Sequence, residues 1–130
     1  MNAIVKIDNE NPTFTTMQLG TVAEKKAFFN ATQNPNFKVS EFINQNITIA
    51  NVFMQKTTYV DDNGIVTDGI KSIIITPEGD GILANSNGIA KSLMSLFEIF
   101  GLPCEWDEPL TCTVRQVETP KGRYFKLEVV

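Results

Sequence analysis

Residues 82–101, ILANSNGIAKSLMSLFEIFG, predict one amphipathic helix with a defined start and stop, and the rest of the chain must supply something for its apolar face to lie on. Ser86 or Asn87 can cap the start by accepting a bond from a free backbone N–H. Ile89, Leu93, Leu96, Phe97 and Phe100 recur at steps of three and four, which puts them on one face; Ala90 and Met94 widen it. Gly101 suits a left-handed cap, and Pro103 cannot continue the helix.

Strand-like runs flank this helix. Residues 47–59 predict a long first strand with Ile47 and Ile49 inward, followed by Val52 or Met54. Its alternation breaks near Asn51, which implies a bulge or bend. Asp61-Asp62-Asn63-Gly64 is a turn, and only a fragment of a calcium loop. Residues 66–76 form the second strand, Pro77 to Gly81 a turn, and 81–85 a short third strand. After the helix, Leu110, Cys112 and Val114 alternate with Thr111, Thr113 and Arg115 over 110–117. Thr119-Pro120-Lys121-Gly122 is a hairpin tip. Over 123–130, Phe125, Leu127 and Val129 alternate with Tyr124, Lys126 and Glu128. Three strands, a helix and two strands is the order of a Greek-key barrel of the oligonucleotide/oligosaccharide-binding (OB) type. The expected fold is therefore mainly β with helices: a five-stranded OB barrel, its helix between strands 3 and 4, as a single domain over residues 21–130.

Residues 1–20 read as a flexible or partner-docking N-terminal arm. Ile4, Val5, Ile7 and Phe14 give it the apolar content for self-association, which solvated tails seldom carry. Thr21 and Glu24 have capping-box spacing, so residues 21–31 predict a short helix, with a strand as the competing reading.

Composition removes several function classes. The chain has no histidine, which excludes a Ser-His-Asp or Cys-His site within it. The two cysteines, Cys104 and Cys112, do not make a zinc site of the usual kinds. No phosphate loop, dinucleotide fingerprint or metalloprotease motif occurs. Glu105, Asp107 and Glu108 cluster around Trp106, and a solvated acidic loop is the simpler reading. The expectation is a non-enzyme with no cofactor and no metal. No apolar run is long enough for a membrane span, and the N-terminus lacks signal-peptide features, so a cytoplasmic location in a bacterial host cell is expected.

The net charge of −4 counts against a generally basic nucleic-acid binder but leaves room for a confined basic groove. Four of the eleven bases, Arg115, Lys121, Arg123 and Lys126, fall on or beside the last hairpin with Tyr124. Lys56, Tyr59 and Lys71 flank the turn between the first two strands. In an OB barrel these two loops border the binding groove, where cations meet phosphates and rings stack on bases.

The stretches GTVAEKKAFFNATQNPNFKVSEFINQNITIANVFMQ, GDGILANSNGIAKSLMSLFEIFG and CTVRQVETPKGRYFKLEVV resemble the small single-stranded DNA-binding proteins of protein-primed phages and related Gram-positive phage and conjugative-plasmid proteins. The resemblance is one of element order, length and texture over more than half the chain. It implies an OB fold and largely sequence-independent binding of single-stranded DNA in replication or transfer. Phe53 sits where that family tends to place a ring on the first strand; a core position for it stays equally open because of the break at Asn51. The third strand, GILANS, departs from the family in having no aromatic residue, which leaves open duplex DNA as a second partner. The alternative is an OB-fold accessory protein acting through oligomerisation and protein partners.

Overall fold

In a computed structural model, the backbone is described for residues 3–8, 11–60 and 62–130, and side chains for 13–58, 60 and 62–130. The strands are β1 (Ala3–Asp8), β2 (Asn11–Thr15), β3 (Phe37–Lys38), β4 (Asn46–Ile49), β5 (Asn51–Val60), β6 (Val66–Ile75), β7 (Gly81–Ala84), β8 (Leu110–Thr119) and β9 (Gly122–Val129). The helices are α1 (Val22–Gln33) and α2 (Asn87–Phe100), with single 3₁₀ turns at Val39–Phe42 and Pro103–Glu105.

The predicted long first strand breaks at Ala50, and the break decides the architecture. β4 pairs with β8 in a three-stranded sheet ordered β4-β8-β9, while β5 joins a six-stranded sheet ordered β1-β2-β5-β6-β7-β3. The Ala50 amide donates to the Ile75 carbonyl at 2.9 Å, so the backbone stays paired while it changes sheets. Among the described residues the chain is mainly β with two helices, and neither sheet closes into the expected barrel. β7 spends its second edge on β3, in parallel, and β9 ends the other sheet.

The predicted order of three strands, helix and two strands is present from Asn46 to Val129. α2 seats Ile89, Ala90, Leu93 and Leu96 on a core of Val52, Met54, Ile74, Ile82, Cys112 and Val114, contributed by both sheets. Ser86 caps it by accepting from the Gly88 amide, and Gly101 ends it at φ +78°. Gly88 also lacks a Cβ for a packing reason: one there would collide with the Phe125 carbonyl oxygen of β9.

A second, smaller core lies on the opposite face of the six-stranded sheet. Here α1 lays Phe28 and Ala31 over Phe53, Ile73, Ile75 and Leu83. Thr21 and Glu24 form the predicted capping box, with Thr21 Oγ1 accepting from the Glu24 amide and the Glu24 carboxylate accepting from the Thr21 amide.

The segment read as an arm is partly built into this sheet. Thr13, Phe14 and Thr15 of β2 pair with Gln55, Met54 and Phe53 of β5. The Thr15 hydroxyl donates to the Val52 carbonyl at 3.1 Å, and the Val52 amide donates to Thr16 Oγ1 at 3.0 Å. Thr13, Thr15 and Thr16 are buried, and the hydroxyls of Thr15 and Thr16 tie the segment to β5. β1 pairs with β2, so Ile4, Val5 and Ile7 lie on a strand; their side chains are outside the described residues. Among the described residues, no helix is long and apolar enough to cross a membrane.

Candidate nucleic-acid interface

Antiparallel register sorts the predicted site residues onto different faces. Phe53 pairs with Ile73, and Gln55 with Lys71, on the side covered by α1; Lys56 pairs with Ile70 on the side facing α2. Lys56 and Lys71 therefore point away from each other. Phe53 is only 2% exposed and meets Phe28 of α1 edge to face, with ring centroids 5.5 Å apart. It is a core residue, and the stacking role given to it is withdrawn. Tyr59 pairs with Thr67 near the end of the β5–β6 hairpin; its side chain lies outside the described residues.

The last hairpin keeps its cations at the surface but pairs most of them. Arg115 donates from Nη1 to Asn44 Oδ1 at 2.8 Å and from Nε to Glu128 Oε2 at 3.4 Å. Lys126 Nζ stands 3.9 Å from Glu128 Oε1, and Arg123 Nε 3.2 Å from Glu118 Oε1. Pairs this exposed are worth about 0–1 kcal/mol and exchange readily for another anion. Lys121 is exposed at the tip, and Tyr124 is exposed on β9.

A different part of the surface brings rings and cations together. Between α2, β2 and the β5–β6 hairpin lies a cavity of about 680 Å³. Its apolar lining comes from Phe14, Met54, Ile70, Ala90, Met94 and Phe97; Lys56, Lys91, Asp68 and Asn87 supply the polar groups. Phe14 and Phe97 stand 6.5 Å apart with planes tilted by 58°. Of the predicted interface, Lys56 alone lies here among the described residues. Phe14, assigned above to subunit docking, faces the Phe97 ring of its own chain.

The walls are fixed by local geometry. The Ile70 amide donates to Asn87 Oδ1 at 3.0 Å, tying the first turn of α2 to β6. From there Asn87, Ala90, Lys91, Met94 and Phe97 descend one flank of the helix at steps of three and four. The pairing of Phe14 with Met54 delivers the second ring. The arrangement suits a flat apolar group that carries negative charge: rings and methionines for the flat part, Lys56 and Lys91 for the charge. The sequence reading missed Phe97, Met94 and Lys91 because it assigned the whole apolar side of α2 to the core. The signal available in the sequence was the width of that side, which Ala90 and Met94 extend; in the structure Met94 is left 51% exposed.

The acidic loop and the cysteines hold no comparable site among the described residues. Among the described residues, no group of three His, Cys, Asp or Glu side chains is placed to hold a metal ion. In the acidic loop, the Glu105 carboxylate accepts from the Leu102 amide and Trp106 Nε1 donates to the Gly101 carbonyl, so both serve the end of α2. Cys104 is an exposed free thiol. Cys112 is a buried one, and desolvation pushes its pKa up to about 11. No protein-family model matches the chain, and comparisons with curated proteins and with solved structures find no significant match.

Proposed function

We propose that this chain is a non-enzymatic, largely sequence-independent single-stranded DNA-binding protein of phage or plasmid replication or transfer, and that its core is a partly open relative of the OB barrel. The strand order from Asn46 to Val129, the bent first strand and the helix between the third and fourth strands support the fold reading. The observation that carries the function is the cavity in which Phe14 and Phe97 face each other beside Lys56 and Lys91. Bases leave water by stacking in that apolar space, at about 1–3 kcal/mol per base, while the lysines neutralise neighbouring phosphates. Duplex DNA keeps its bases stacked internally and gains only the phosphate contacts. With Lys56 and Lys91 as the phosphate partners, binding weakens with salt, with a log–log slope of about −1.4 for two contacts on a single strand.

The test is a titration of fluorescent oligo-dT and a matched duplex at two salt concentrations, with Phe14→Ala and Lys56→Ala alongside wild type. Preferential, salt-sensitive binding of the single strand is expected. Phe14→Ala should weaken it about tenfold, within the range for one stacked base, and Lys56→Ala should lower the salt slope by about one. Absence of binding to either DNA at low salt overturns the reading. It would leave the accessory-protein alternative, in which the arm and exposed surface serve self-association.

A further inference from the structure

We propose that the bound strand does not end in the Phe14–Phe97 cavity but crosses α2 at Lys91 and continues into a second groove on the helix's other flank, against β9. The inference rests on the reading of the first cavity as a base site and extends it.

The second groove has a volume of about 710 Å³. Ile99 and Phe100 of α2 and Tyr124, Lys126 and Val129 of β9 line it, and Asn87 and Lys91 line it as well as the first cavity. The two spaces therefore adjoin across the N-terminal half of α2, with the exposed Lys91 on the crest between them. The surface runs from an apolar recess with rings, across a cation, to a second apolar recess with two rings, Phe100 and Tyr124, and a further cation, Lys126. That alternation matches a polymer of flat apolar bases on an anionic backbone.

A peptide strand is the less suitable occupant. β9 is an edge strand, but α2 already covers part of that edge: the Leu127 amide donates to Ser92 Oγ at 3.1 Å, and the Phe125 carbonyl packs on Gly88. Backbone pairing with an added strand is blocked at those positions, whereas the Tyr124 ring remains 42% exposed for face contact. Lys126 stands 3.9 Å from Glu128 in an exposed pair that a phosphate can replace.

The experiment compares oligo-dT of about four and about twelve nucleotides, lengths that bracket the usual span of one such domain. The proteins are wild type, Phe14→Ala, Lys91→Ala, Tyr124→Ala and Tyr124→Phe. Tyr124→Ala should bind the long oligonucleotide about tenfold more weakly and the short one within about twofold of wild type. Tyr124→Phe should restore binding, and Lys91→Ala should weaken both lengths. If Phe14→Ala weakens binding while Tyr124→Ala matches wild type on the long oligonucleotide, the strand is confined to the first cavity and the inference is overturned. If Tyr124→Ala instead changes the sedimentation of the free protein with DNA affinity intact, the groove is a self-association surface and the inference is likewise overturned. If Phe14→Ala leaves both lengths unaffected, the underlying reading of the first cavity is what fails.

Discussion

Phe28 of α1 meets Phe53 of β5 edge to face, with ring centroids 5.5 Å apart and planes at 74°. This contact covers the sheet face on which the sequence reading placed a base-stacking ring. Phe53→Ala should cost about 3–5 kcal/mol in urea unfolding, as for a buried phenylalanine, and Phe28→Ala less, because that ring is only partly buried. Single-strand affinity of folded Phe28→Ala should equal that of wild type. A marked gain in affinity would mean that α1 screens a binding face, against the placement of the site beside α2.

The ends of both helices were legible because they are local. Thr21 with Glu24 and Ser86 act on backbone groups within a few residues and appear in their expected roles; Gly101 ends α2 at positive φ as expected, but with ψ −170°, outside the left-handed helical cap. The break near Asn51 was legible too, since a lost alternation has few other causes. Its consequence was not. A one-residue slip reverses every side chain of a strand, so nothing local said that Phe53 would face α1 and Lys56 would face α2. α1 has a weak apolar side, with Val22 and Phe29 largely exposed, and nothing in its spacing announced the sheet it covers. β2 was hidden because its inward residues are threonines. The cavity itself depends on bringing Phe14 to Phe97 across 83 positions of chain, a long-range contact that no sequence window contains.

Asp68 is the carboxylate of the first cavity, and it sits among the groups asked to hold phosphate. Asp68→Asn removes one negative charge from an exposed position and should leave stability within about 0.5 kcal/mol. Single-strand affinity at low salt should rise by two- to tenfold, an effect of about 1 kcal/mol, as for unit charges about 4 Å apart in a water-like dielectric, which suits this exposed carboxylate. The gain should shrink as the Debye length falls from about 10 Å at 0.1 M salt. An unchanged affinity at low salt would put the phosphates away from Asp68.

Gly81 and Gly88 each let two backbones approach closely. A Cβ at Gly81 would collide with the Ala31 carbonyl at the end of α1, and one at Gly88 with the Phe125 carbonyl. Both alanine variants should be destabilised by about 1–3 kcal/mol, since backbone has no rotamer with which to yield. Hydrogen exchange should separate them. Gly81→Ala should speed exchange in the last turn of α1, whereas Gly88→Ala should loosen the α2–β9 seam and expose the Leu127 amide. Equal loss of protection in both places would instead indicate one cooperative unit.

Cys112 supplies a pH dependence with a definite sign. Its side chain is fully buried, and desolvation raises the thiol pKa from 9.0 to about 11. Below pH 9 both folded and unfolded chains keep the proton, and the thiol adds no slope. Between pH 9 and about 11 the unfolded chain releases it while the folded chain retains it, so stability falls with rising pH. Two pKa units correspond to at most about 3 kcal/mol. Lysines and tyrosines titrate in the same window, so the measurement is the difference between wild type and Cys112→Ala in urea unfolding at pH 8, 9.5 and 11. The variant loses packing at every pH but lacks this slope, and its disadvantage should therefore narrow as pH rises. Thiol labelling at pH 8 should modify the exposed Cys104 quickly and Cys112 only on unfolding. A constant difference across the three pH values, with equal labelling of both thiols, would show that the β8 core admits water.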